Sequence, residues 1–145
     1  MRVRWTIVAM TLLAVSLPVA AEDWKVRHFN ATADQCYRAA ERALAKRHEV
    51  TFKDARLRVI RYTIGVTSLS WGYRMALHIE PAEDGSGNTS ACRATHTIEV
   101  KGGPLLSWGR GKKEVRQTYA RVEEELAAMF AAEKKKEGTA GPTDR

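Results

Sequence analysis

A chain of 145 residues, 44% hydrophobic and 28% charged, is long enough for one domain that buries its own core without a structural metal. Its formal net charge of +7 bears on partners and not on fold: it favours anionic surfaces. Four histidines on four separate segments, His28, His48, His78 and His96, give none of the spacings of a metal site.

The chain opens with Arg2 and Arg4, runs apolar from Trp5 to Leu17, and reaches Val19, Ala20 and Ala21 just before acidic Glu22 and Asp23. A basic start, a short apolar run and small residues three and one places before a cut are the pattern of a secretory signal. A cut after Ala20 would put Pro18 three places back, so cleavage is expected after Ala21. The run is shorter than the ~20 residues that span a bilayer, so no transmembrane segment is expected in the mature chain. No cysteine follows it to carry a lipid. The expected organisation is a signal peptide over 1–21, a single α+β domain over 22–133 and a disordered charged tail over 134–145. Arg2 and Arg4 are the only charges in the signal, so +7 falls to +5 on cleavage. Export to the periplasm or the medium turns that charge away from nucleic acid and toward anionic lipid headgroups, glycans or an envelope protein.

Residues 24–29 read as a first strand, with Trp24, Val26 and Phe29 set among Lys25 and Arg27. Thr32 followed by Gln35 is a capping box, and Ala33, Cys36, Tyr37, Ala40, Ala43 and Leu44 then recur at helical spacing. Val50 and Phe52 alternate with Thr51 and Lys53 to give a second strand. A third puts Ile60, Tyr62, Ile64 and Val66 on one face, and residues 67–72 form a loop. The fourth strand points Tyr73, Met75, Leu77 and Ile79 inward; residues 81–88, with Asp84 and Gly85, turn. The fifth points Cys92, Ala94, His96, Ile98 and Val100 inward. Gly102 to Gly111 is expected to be a loop, followed by a helix with Val115, Tyr119, Val122, Leu126, Met129 and Phe130 on its buried stripe.

Parity fixes the register of the last hairpin. Inward residues are odd in one strand and even in the other, so facing pairs sum to an odd number. A sum of 173 sets Leu77 opposite His96 and Met75 opposite Ile98, and matches Arg74 with Glu99 and Glu80 with Arg93. The expected fold is therefore α+β, in the order β-α-β-β-β-β-α. It is a mostly antiparallel sheet of four to five strands with two helices on one face.

Three sets of residues invite a functional reading. Cys36 and Cys92 both face the layer between helix and sheet; in an oxidising compartment they either form a disulfide or remain two buried thiols too far apart to join. Neither has the activating neighbours of a catalytic thiol. Trp71 and Trp108 flank the same end of the sheet, and Arg110, Lys112 and Lys113 begin the last helix there, where free backbone N–H groups favour anions. The set suits an anionic headgroup or a partner protein; the same residues also suit a capped core end with solvated charges. The outer sheet face carries Arg61, Thr63, Arg74, His78, Arg93, Thr95 and Thr97, a polyanion surface or simply a wet face. No catalytic constellation and no cofactor motif emerges, and Gly109 to Lys113 lacks the pattern of a phosphate-binding loop.

The Ala39–Leu44 helix, the segments Val50–Asp54 and Arg58–Val66, and the final hairpin resemble small exported bacterial α+β proteins and lipoproteins without an assigned function. The absent lipid-bearing cysteine departs from the lipoproteins among them. The resemblance implies an envelope binding or assembly role and transfers no catalytic residue. Together these readings lead to a non-catalytic binding module, or alternatively an assembly subunit that contacts an envelope protein through an apolar patch.

Overall fold

The computed structural model describes residues 23–65, 72–83, 87, 90–100 and 108–139. Among the described residues, seven elements run in the expected order: β1 (Val26–Phe29), α1 (Ala33–Ala45), β2 (Glu49–Asp54), β3 (Val59–Ile64), β4 (Tyr73–Ala82), β5 (Ala91–Val100) and α2 (Trp108–Thr139). The five strands form one antiparallel sheet in the order β1-β5-β4-β3-β2. Both helices pack on one face, and the core lies between.

α1 begins where its capping box places it. The Thr32 hydroxyl accepts from the Gln35 backbone N–H, and the Gln35 side chain accepts from the Thr32 N–H at 3.0 Å. The buried side of α1 is Ala33, Cys36, Tyr37, Ala39, Ala40, Ala43 and Leu44; its many alanines let the helix lie close on the sheet. The β4–β5 register matches the parity reading: Leu77 faces His96, Met75 faces Ile98, Arg74 faces Glu99 and Glu80 faces Arg93. The last pair closes to an ion pair of 2.5 Å.

Four expectations are corrected. Phe52 does not share a face with Val50. A bulge at Thr51 shifts the β2–β3 register, so Val50 faces Tyr62 on the inner side while Phe52 faces Arg61 on the outer one. An extra residue in one strand reverses every side chain beyond it, which turns Lys53 to the helix side of the sheet, where it pairs at the surface with Glu41 of α1 at 2.6 Å. Second, the Gly102–Gly111 loop is shorter than expected: residues 108–111 belong to α2, whose first turn rests on β5. A Cβ on Gly111 would sit 3.5 Å from Cδ1 of Ile98. Third, Phe130 leaves the buried stripe: Val115, Tyr119, Val122 and Leu126 are buried, Met129 is partly so, and Phe130 is exposed. Last, α2 runs to Thr139, past the tail start expected at Lys134. Alanine, glutamate and lysine from Ala131 to Glu137 are good helix formers, so the helix continues without packing until Gly138.

Val66 of the third strand and the 67–71 loop lie outside the described residues, as do residues 140–145 of the tail.

Candidate functional site

Cys36 and Cys92 form a disulfide, with Cα atoms 6.7 Å apart, that ties α1 to β5. Both are fully buried, and no cysteine is left free. The bond sits in the core, where it joins helix to sheet.

The basic set divides. Trp71 lies outside the described residues, so its meeting with Trp108 does too. Trp108 opens α2, and Arg110, Lys112 and Lys113 fall on its first two turns, with Lys112 and Lys113 exposed and Arg110 half-buried. This end of the helix adjoins the end of the sheet where Tyr73 pairs with Val100. The first turn holds no acidic residue, so its N–H groups, which have no carbonyl partner within the helix, and the lysines add positive potential of one sign. The next carboxylate along, Glu114, is already engaged. His48 Nε2 lies 2.8 Å from it and Arg121 lies 3.9 Å away. The close His48 contact is the main cause that holds the Glu114 carboxyl below the ordinary carboxylate range, with the charges of His48, Arg121 and Arg47 adding to it and burial opposing.

Below this turn, the layer between α2 and the sheet is polar and aromatic. His96 of β5, 1% exposed, lies with Nε2 3.1 Å from the Tyr62 hydroxyl of β3. Its ring stands edge-on to Tyr119 with centroids 4.8 Å apart. Burial pushes the His96 pKa down to about 3, the Glu114 charge opposing, so the ring is neutral at physiological pH. Burial raises both Tyr62 and Tyr119 above the usual phenol range. The Tyr119 hydroxyl lies 2.5 Å from the backbone carbonyl of Lys25 and 3.1 Å from that of Ala94, so its one proton is shared between them, which pins the entry to β1 against β5 and α2. Neutral and buried, His96 thus links β3, β5 and α2 through its contacts with Tyr62 and Tyr119.

A groove between β1 and α2 went unforeseen. In the β1–β5 register Arg27 faces Ala94 and Phe29 faces Cys92, so Arg27 lies on the helix side, where it meets Glu123 at 2.7 Å. On one side of that ion pair is a cleft of about 260 Å³ lined by Asp23, Trp24, Val26, Arg116, Tyr119 and Ala120. On the other is one of about 330 Å³ lined by His28, Phe29, Asn30, Leu126, Ala127 and Phe130. A four-residue strand gives too little alternation to set its own face; only pairing with β5 decides it. The one usable signal was parity carried across from the inward residues of β5.

On the outer face, Arg61 stacks over the Phe52 ring at 5.3 Å and Arg93 is paired with Glu80, so two of its cations already have partners. Among the described residues, no group of three metal-ligating side chains occurs, and no helix is long and apolar enough to cross a membrane.

No protein-family model matches the chain, and no curated protein matches it. Among solved structures it is similar to one titled "Crystal structure of Ara h 8.0201", at 13% identity over 71% of this chain and 99% of that one, with a TM-score of 0.45. The fold itself is α+β.

Proposed function

We propose that the chain is an exported binding module, without catalytic chemistry of its own, that holds an anionic component of the cell envelope at the basic start of α2. The observation that carries this reading is the first turn of α2. Lys112 and Lys113 stand exposed there beside Arg110, the turn has no acid, and Glu114 is taken up by His48 and Arg121. Export is supported by the signal pattern of residues 1–21 and by a disulfide, a bond that persists in oxidising compartments. The expected product begins at Glu22, a prediction that mass analysis of the native protein checks directly.

Binding should follow charge. Vesicles carrying phosphatidylglycerol should retain the protein and zwitterionic vesicles should not, with retention lost as salt rises from about 0.05 to 0.5 M. A soluble acidic glycan that competes would assign the site to sugars and not lipid. Changing Lys112 and Lys113 to Ala should remove retention without altering the fold, and changing Trp71 and Trp108 to Ala should weaken it. Retention that ignores salt and survives all four substitutions would refute the reading.

A second reading, an assembly subunit that contacts another envelope protein, is favoured by one observation. Phe52 and Leu57, two large apolar side chains of the β2–β3 hairpin, are 44% and 70% exposed. Crosslinking in intact cells from position 57 would capture such a partner; no adduct would count against it.

A further inference from the structure

α2 is longer than the sheet it lies on. Its 32 residues extend about 48 Å, against about 33 Å for the ten-residue strands. Beyond Leu126 the helix leaves the core, and from Ala127 to Ala132 it presents six apolar residues in succession, of which only Met129 is half-buried. Helices in proteins owe most of their stability to a packed face, and an exposed apolar run of this length is costly unless something covers it.

Ala120, Glu123, Ala127, Phe130 and Lys134 recur at steps of three and four, so they share one stripe, and all five are exposed. The stripe borders β1, because Ala120, Glu123, Ala127 and Phe130 line the two clefts of the groove. Phe130 is a large apolar knob, 38% exposed, beside a cleft floored by Phe29, Leu126 and Ala127. Read in the opposite direction, the stripe complements itself. About the midpoint between Ala127 and Phe130, Phe130 falls opposite Ala127 and Lys134 falls opposite Glu123.

We propose that a second copy of this chain covers this face, the two α2 helices crossing antiparallel about a two-fold axis. Each Phe130 enters the other copy's cleft beside Ala127, and each Lys134 comes alongside the other copy's Glu123. A two-fold contact uses one patch twice, with residue i meeting j and j meeting i, which is the symmetry this stripe possesses. The alternating signs also select the occupant. Glu123 meets Arg27 through Oε1; an anionic bilayer would attract Lys134 but bring no cation to that carboxylate, whereas a second copy brings Lys134 to it.

Sedimentation equilibrium of the purified protein tests this. Wild type should show a reversible monomer–dimer equilibrium. Phe130→Glu should be monomeric with its circular dichroism and melting temperature retained, since the side chain is exposed in the monomer. Lys134→Glu should raise the dimer Kd about tenfold or more, while Lys134→Arg, which keeps the charge, should leave it unchanged. A wild type that stays monomeric up to about 100 µM, where a contact of ordinary size would already be populated, overturns the proposal. So does a Phe130→Glu variant that dimerises with unchanged affinity. A monomer that nonetheless binds anionic vesicles in a Phe130-dependent way would assign the face to membrane instead.

Discussion

His96 holds a neutral ring in the core, and that neutrality couples folding to acidity. Unfolded, it takes up a proton near 6.5; folded, it resists until about 3. Between these values the unfolded chain binds the extra proton, so stability is complete above about 6.5 and is lost as pH falls, by about 1.4 kcal/mol per unit for one proton. Glu114, whose carboxyl is held low, loses its contribution further down in the same direction. His96→Gln keeps a partner for the Tyr62 hydroxyl without a titrating ring. Its urea midpoint should therefore vary less than that of wild type between pH 6.5 and 4, and an unchanged slope would show that other groups drive the acid sensitivity. Much at this scale was legible: inward parity placed His96 and Cys92 in the core, and helical spacing placed Cys36 there. The distance between the cysteines was not, because a shared layer says nothing about how far apart two elements sit within it.

Among the elements, β1 is the one held least by its own length. Four residues pair with β5, and the Tyr119 hydroxyl ties the entry to that strand through the carbonyls of Lys25 and Ala94. Tyr119→Phe should cost about 1 kcal/mol and should raise hydrogen exchange in Val26–Phe29 more than in β3 or β4; uniform exchange across the sheet would mean that β1 is fixed by other contacts. The capping box at Thr32 and the β4–β5 hairpin could be read from residues alone because each is local, or repeats often enough for parity to decide. The bulge at Thr51 could not. Nothing in Val50-Thr51-Phe52 signals an inserted residue, and the benefit, Lys53 reaching Glu41 of α1, is a long-range contact. The inward side of Arg27 was hidden for the same reason.

Over the whole molecule, the order of elements and the two-layer arrangement followed from hydrophobic periodicity, since four alternating strands with one dry face need helices to cover it. The candidate site was legible only in part. The basic first turn of α2 could be found as a charge cluster, but the β1–α2 groove arises from two distant segments, as the Arg27–Glu123 pair, 96 residues apart, shows. The end of α2 belongs to this scale as well. Ending the chain after Ala132 removes residues that are exposed from Glu133 to Gly138, so the melting temperature of the monomer should stay close to that of the full chain. Self-association should weaken because Lys134 is gone. A large fall in melting temperature at a concentration where both forms are monomeric would show that the distal helix supports the core.

The Cys36–Cys92 bond closes a circuit through most of α1, then β2, β3, β4 and the start of β5. A protease that nicks the backbone once anywhere inside that circuit cannot release a fragment, because each piece still carries one of the joined sulfurs. Such clipped molecules would keep the full mass, plus one water, until a reductant parts them, and a single band that splits in two only on reducing gels would be their mark.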